Sequence, residues 1–328
     1  MTKTDTRDVP ATAAELLELA ESGCELVRLA VPDPEAAEGL QVLCRQSPVP
    51  LIADIHFDHR LALAALAAGV HQLRLNPGNI GGEERVREVA RAARERGVSI
   101  RVGVNSGSLE RDLLQQYGRP EPAALVASVL RHCRLLEAEG FFDIVASAKS
   151  PSVMDTVATY RLLATSIPYP LHLGITEAGT RLKGAVRSAV GLGLLLSEGI
   201  GDTIRVSLAA PAVTEVEVAF TILASLGLRS EGVRVIACPT CGRAAVDIRP
   251  VAEAVEARLG KLRAPLTVAV MGCEVNGPGE AREADVGLAA GRGRALLFSG
   301  GQVLKAVPVA DMVEELVQQV QRHVEKRG

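Results

Sequence analysis

Tryptophan is absent from this 328-residue chain, and other aromatics are scarce, with five phenylalanines and three tyrosines. Little is available to stack on the bases of single-stranded nucleic acid. An excess of positive charge is missing too: 36 Lys and Arg stand against 39 Asp and Glu, a net charge of −3. That excludes a bulk electrostatic nucleic-acid binder but allows a local basic pocket. No apolar run is long. The longest, Ala189–Ser197, carries two glycines and falls short of the ~20 residues a membrane span needs. Met1–Pro10 mixes Lys3, Asp5, Arg7 and Asp8 without an apolar core, so no signal peptide is read there and the expected compartment is the cytoplasm. The cysteines number six, and in that compartment they read as thiols or metal ligands rather than disulfides. What is present, 48% hydrophobic and 23% charged residues, is ordinary for a globular protein.

Short apolar segments alternate with helical patterns over the first two-thirds of the chain. The strand candidates are Leu26–Val31, Leu51–Ile55, Gln72–Leu75, Ser99–Val104, Asp143–Ala146, Leu171–Ile175 and Thr203–Leu208. Helical spacing of three and four marks Ala13–Gly23, Arg60–Gly69, Glu83–Gly97, Val153–Thr165, Arg181–Gly199 and Thr214–Gly227, the first three stopped by glycine. Such alternation without hairpins predicts parallel strands with right-handed crossovers. The expected fold is α/β, a TIM-like (β/α) barrel with seven of its eight strands visible; an open α/β sheet would need no eighth strand. After Ser230 the pattern changes. A strand at Val233–Ala237, a helix at Pro250–Leu259, a strand at Leu266–Met271, a Gly/Pro turn at Gly272–Gly279, two short strands and a helix from Ala310 predict a small α+β domain. The expected division is 1–230 and 231–328.

Four predicted strands carry one arginine in an apolar context: Arg28, Arg74, Arg101 and Arg205; a fifth ends in Lys149. A charge inside a covered parallel sheet is costly unless paired, and one such residue would read as an ordinary ion pair. Five in seven strands point elsewhere. Barrel strands converge on one mouth, and guanidinium groups gathered without matching carboxylates suit a phosphate or diphosphate ligand. Asp54, His56, Asn76, Asn105, Thr176, Glu177 and Ser207 follow the same strand ends. Singly, Asp54 and Ser207 read as loop chemistry or caps, whereas Glu177, set among cations, is an acid/base candidate.

In the second domain Cys238 and Cys241 form a CxxC pair, and Cys273 follows in Met-Gly-Cys-Glu-Val-Asn276-Gly-Pro-Gly-Glu280. Both segments leave a strand for a tight loop, so three sulfurs can converge, as soft metals require. Structural zinc prefers four Cys or His ligands, and no histidine lies between Cys241 and Cys273. Glu280 as a fourth ligand suits an iron–sulfur cluster with one labile iron; zinc and cluster both stay open on the residues alone. Cys24, Cys44 and Cys133 lie in helical patterns and read as small buried hydrophobes.

Several of these segments together resemble one family. They are Pro50-Leu-Ile-Ala-Asp-Ile-His-Phe-Asp58, Arg74-Leu-Asn-Pro-Gly-Asn-Ile-Gly81, Arg101-Val-Gly-Val-Asn-Ser-Gly-Ser-Leu109, Leu171-His-Leu-Gly-Ile-Thr-Glu-Ala-Gly179, Gly199-Ile-Gly-Asp-Thr-Ile-Arg-Val-Ser-Leu208, Cys238-Pro-Thr-Cys241 and Gly272-Cys-Glu-Val-Asn-Gly-Pro-Gly-Glu280. They resemble, in order and over nearly the whole chain, the 4-hydroxy-3-methylbut-2-enyl diphosphate synthase family of the methylerythritol phosphate route to isoprenoids. The resemblance implies a TIM-like barrel joined to a [4Fe–4S] domain with Cys238, Cys241, Cys273 and Glu280 as ligands. It implies reductive ring opening of 2-C-methyl-D-erythritol 2,4-cyclodiphosphate with electrons from flavodoxin or ferredoxin. It also implies a homodimer in which one chain's cluster domain caps the partner's barrel. Carried over, Arg28, Arg74, Arg101, Lys149, Arg205 and Ser207 would hold the diphosphate, and His56 and Asn105 would line the same mouth. Glu177 would be the acid/base, and Asn276 would lie beside cluster and substrate.

Three departures accompany the resemblance. The family opens with a hairpin and a first barrel strand, whose end Met1-Thr2 resembles, so strand one is expected to be missing. Pro151 stands where the family has Ser, and Glu274 stands where it has an apolar residue. The competing readings are a phosphosubstrate lyase or aldolase, with Lys149 forming a Schiff base and zinc in the small domain, and a zinc-stabilised binding module on an inactive barrel.

Overall fold

The computed structural model describes residues 1–230, 232–260, 262, 264–273 and 275–326; Glu274 lies outside the described residues. The chain separates into two compact units, Met1–Leu226 and Gly227–Gly328.

In the first unit, strand and helix alternate as α1 (Val9–Glu21), β1 (Val27–Ala30), α2 (Pro34–Gln46), β2 (Leu51–Asp54), α3 (His59–Ala68), β3 (Gln72–Leu75), α4 (Glu83–Arg96) and β4 (Ser99–Asn105). There follow α5 (Arg111–Tyr117), α6 (Pro122–Ala138), β5 (Ile144–Lys149), α7 (Val153–Ser166), β6 (His172–Leu173), α8 (Arg181–Ser197), β7 (Thr203–Ile204) and α9 (Ala212–Ser225). Local chemistry sets many of the boundaries. Asp8, Asp33, Asp58 and Ser152 each accept a backbone N–H at a helix start, and Gly69 and Gly97 end α3 and α4 in the left-handed conformation. β1 to β5 pair in parallel in sequential order, β6 pairs with β7, and a bridge between Ala146 and Leu171 links the two sets. Seven strands in sequential parallel order form the wall expected of a (β/α) barrel. The Thr2 N–H donates to the Arg28 carbonyl at 3.1 Å along the free edge of β1, while Lys3 Nζ reaches Glu215 at 2.8 Å beyond β7.

Alternation along the strands divides the barrel chemically. Val27, Leu29, Leu51, Ala53, Leu73, Leu75, Ile100, Val102, Ile144 and Ala146 are buried in the apolar core with the helices. The alternate positions carry Arg28, Asp54, Arg74, Arg101, Ser147 and Lys149. Helices α2, α5 and α6 were not anticipated.

The second unit is a five-stranded sheet ordered β12 (Gln302–Pro308), β11 (Arg294–Ser299), β10 (Val286–Ala290), β9 (Leu266–Met271) and β8 (Val233–Ala237). Helices α10 (Arg249–Leu259) and α12 (Met312–Glu325) pack on one face through Val255, Leu259, Leu316 and Val320. The short helix α11 (Gly277–Glu283) lies over Met271, Ala289 and Phe298 on another cluster. The Gly272–Gly279 turn is therefore shorter than predicted: Pro278 sits in the first turn of α11, where its missing N–H costs nothing. Three strands rather than two follow Asp285.

Candidate active site

The inward positions of the barrel strands meet in a cavity of about 80 Å³. Arg28, Arg74, Arg101, Lys149 and Arg205 line it, with Asn105 and Ser207 on the same wall. Five cations therefore share one interior. The carboxylate that ion-pairs with them among the described residues is Asp54, 3.2 Å from Arg74 Nη1 and 3.7 Å from Arg28 Nε. Burial alone would raise the Asp54 pKa, but His56, Arg28 and Arg74 outweigh it and hold the carboxyl well below its usual range. Burial and mutual repulsion act the other way on the cations. Arg28 is brought down to about 10 and Arg101 to about 9, and the Lys149 ammonium is held well below 10.5.

Two glycines make room for this crowding. A Cβ on Gly103 would meet Arg74 Nε at 2.4 Å, and one on Gly174 would meet the Arg205 carbonyl oxygen at 2.7 Å and Lys149 Nζ at 2.8 Å. Arg74 is held from two sides: Nη1 donates to Asp54 Oδ1 at 3.2 Å and Nη2 to the Gly103 carbonyl at 2.7 Å, while the Gly103 N–H donates to Asn76 Oδ1 at 3.0 Å. Arg74 and Asn76, two positions apart, thus both grip Gly103 on β4.

His56 stands beside rather than inside the cavity. Its side chain is 54% exposed, with Nε2 3.5 Å from Asp54 Oδ1 and 3.3 Å from Arg74 Nη1. Glu177 follows the cavity-lining Thr176, is exposed, and holds a left-handed backbone with φ of 52°. A non-glycine residue in that region costs free energy and often marks a functional loop. Asp54, Ser147, His172 and Gly103 are the residues sequence reasoning passed over or undervalued. His172 and Ser147 occupy inward positions of strands already identified, so alternation carried the signal.

In the second unit the cysteines lie on the loops after β8 and β9, and those two loops touch. The Gly272 N–H donates to Cys238 Sγ at 3.2 Å, and the Ala245 N–H donates to the Gly272 carbonyl at 2.8 Å. The backbone N–H of Arg243 and its guanidinium lower the Cys241 pKa; the backbone N–H groups of Asn276, Gly277 and Val275 lower that of Cys273. The thiols in helical patterns behave oppositely: burial pushes Cys44 up to about 11 and Cys133 up to about 12. Glu280 and Asn276 are exposed at the start of α11. Among the described residues, no three His, Cys, Asp or Glu side chains close on one point as a finished metal site.

Residues 1–220 match the family model for the GcpE TIM-barrel domain, and residues 234–322 match that for the GcpE protein C-terminal domain. The chain belongs to the GcpE family. A relative from Geobacter sulfurreducens, named 4-hydroxy-3-methylbut-2-en-1-yl diphosphate synthase (flavodoxin), is 58% identical over 98% of this chain and 91% of its own length. A relative of the same name from Maridesulfovibrio salexigens is 53% identical over 100% of this chain and 92% of its own. In this GcpE chain the cysteine loops fit an iron–sulfur group: lowered thiol pKa values and N–H groups aimed at sulfur are what cluster thiolates require. No helix among the described residues is long and apolar enough to cross a membrane.

Proposed function

We propose that this chain catalyses the reductive dehydroxylation and ring opening of 2-C-methyl-D-erythritol 2,4-cyclodiphosphate to 4-hydroxy-3-methylbut-2-enyl diphosphate, in the methylerythritol phosphate pathway of isoprenoid biosynthesis. It takes up two electrons together with protons and releases water. The observation that carries this reading is the convergence of five cations on one cavity, of which Arg28 and Arg74 ion-pair with Asp54. Buried guanidinium groups in that arrangement are completed by a polyanion.

The substrate-binding part is residues 1–230 and the cluster-binding part residues 231–328. Arg28, Arg74, Arg101, Lys149, Arg205 and Ser207 hold the diphosphate and fix the sugar carbons in one pose. His56 and Asn105 line the entrance. Glu177 moves a proton at the reacting carbons, and Asn276 orients the substrate oxygen. Cys238, Cys241, Cys273 and Glu280 hold a [4Fe–4S] cluster, which supplies single electrons and a Lewis-acidic iron.

The relatives' names include flavodoxin, and a reduced flavodoxin is the donor in this reading, with a ferredoxin as its substitute. The working form is a homodimer. Helix α8 offers it a surface: Leu182, Val186, Val190 and Leu194 recur every fourth residue and are 76%, 55%, 49% and 36% exposed. A two-fold antiparallel pairing of α8 would bury this stripe.

The test is anaerobic purification followed by assay of iron, sulfide and zinc, then of cyclodiphosphate turnover with reduced flavodoxin. About four irons and four sulfides per chain, as a [4Fe–4S] centre contains, with donor-dependent product formation, are expected. Stoichiometric zinc without sulfide, or a borohydride-trapped adduct at Lys149, would overturn the reading in favour of a lyase.

A further inference from the structure

Buried polar atoms without a hydrogen-bond partner are not scattered at random in the barrel unit. Arg28 Nε, Arg101 Nη2, His172 Nε2 and Arg205 Nε are four of them, and all four residues line the same cavity. Three are guanidinium N–H groups, which can only donate. An orphaned buried donor is costly; Asp54 Oδ2 lies 3.7 Å from Arg28 Nε, outside hydrogen-bond reach, so what the four sites lack is an acceptor within reach.

His172 differs from the other three because it adds no charge. Burial, then Arg101, Lys149, Arg28 and Arg205, hold its pKa well below 6.5. Its placement is fixed twice. The Thr203 hydroxyl lies 2.8 Å from Nδ1, directly across the β6–β7 register. The Tyr160 hydroxyl donates to the His172 carbonyl at 2.5 Å and accepts the Ala148 N–H at 3.2 Å, tying β6 to β5. With the Thr203 hydroxyl donating to Nδ1, the remaining proton sits on Nε2 and the ring becomes a fourth donor.

We propose that His172 is a further ligand-contacting residue of the diphosphate site: a neutral imidazole, oriented by Thr203, whose Nε2–H donates to a phosphate oxygen of the bound substrate. The proposal rests on the diphosphate reading given above and adds a residue to it. A neutral donor contributes a directional hydrogen bond where a sixth cation would deepen the repulsion among the five already present. The charged groups facing the ring from the neighbouring elements are Lys149 on β5, Arg101 on β4, Arg28 on β1 and Arg205 beyond β7.

The test uses the full chain, with inorganic pyrophosphate as probe. Imidazole ¹⁵N spectra, assigned by His172→Gln, are expected to give a bare Nδ1 and a protonated Nε2 whose signal moves on adding pyrophosphate. His172→Leu is expected to raise the pyrophosphate Kd about 10-fold, the size of one hydrogen bond, without changing its salt dependence. His172→Gln, which keeps an N–H near Nε2, should recover most of that loss, and Thr203→Val should lose part of it. A folded His172→Leu chain with unchanged Kd, or an Nε2 signal indifferent to saturating pyrophosphate, would overturn the proposal. If His172→Leu fails to fold, the wild-type spectra and His172→Gln decide. If Arg74→Met and Arg205→Met also bind pyrophosphate like wild type, it is the diphosphate reading itself that fails.

Discussion

The Lys149 ammonium and the Cys273 thiol both give up their protons more readily than usual, for opposite reasons. Burial and four arginines disfavour the charge on Lys149, whereas three backbone N–H groups favour the charge on Cys273. The barrel interior therefore stands energetically incomplete, with donors unmet and cations crowded. The cysteine loops are prepared by their own backbone. The first site is built to be finished by an anionic ligand, and the second to present thiolates to a metal centre. Geometry follows the same division. The cations sit on strands held by a parallel ladder, and the thiols sit on loops between strand ends and a short helix.

The hardest break of this comparison is on the cysteine side. Cys273→Ser should abolish iron and sulfide retention and lower turnover by more than ~100-fold, while leaving pyrophosphate binding by the barrel unchanged; metal analysis and calorimetry read the two separately. On the cation side, Arg101→Met should weaken pyrophosphate binding by ~100-fold, as loss of a charge-assisted bond implies. It should also raise the melting temperature by ~2–4 °C, because it relieves a desolvated, repelled charge. Asp54→Asn should do the reverse to stability, leaving Arg28 and Arg74 without their counter-charge, a cost of ~3 kcal/mol visible in denaturant titration.

A smaller effect comes with pH. The His172 pKa is lowered, so the unfolded chain takes up its proton first as pH falls. The stability His172 contributes is whole above 6.5 and is lost progressively below it, by up to ~1.4 kcal/mol per pH unit. The quantity to read is therefore the difference between wild type and His172→Asn in unfolding at pH 7.5 and 5.5. Wild type should lose more. The mildest probe is alkylation of metal-free native protein near neutral pH. Cys241 and Cys273 should react at least ~10-fold faster than Cys44 and Cys133, following their thiolate fractions, as mass spectrometry of the peptides can show.

Much of this was legible in the sequence. An arginine between apolar neighbours in a strand, as in Leu73-Arg74-Leu75, can point only one way once the flanking side chains face the helices. CxxC and the later Gly-Cys segment mark the two strand-end loops that carry the thiols, and the Gly272 N–H donating to Cys238 Sγ joins those loops. His172 was hidden because Leu171-His172-Leu173 reads as an ordinary buried strand with one polar residue, and its meaning depends on Thr203 across a register no local pattern fixes. Asp54 was undervalued for a similar reason: Arg28 and Arg74 reach it from neighbouring strands, 26 and 20 positions away in the chain. Helix α2 was missed because Pro34 and Asp33, which start it, also read as a turn.

The central claim is that the barrel interior is a cation cradle completed by a diphosphate. It is tested most directly by titrating 2-C-methyl-D-erythritol 2,4-cyclodiphosphate into the wild-type chain by calorimetry at low and high salt, with thermal unfolding of the same samples. One site per chain, an affinity that falls steeply with salt, and a melting temperature raised by the ligand are the predicted results. A chain that melts at the same temperature with and without the cyclodiphosphate, and shows no binding even at low salt, would contradict it.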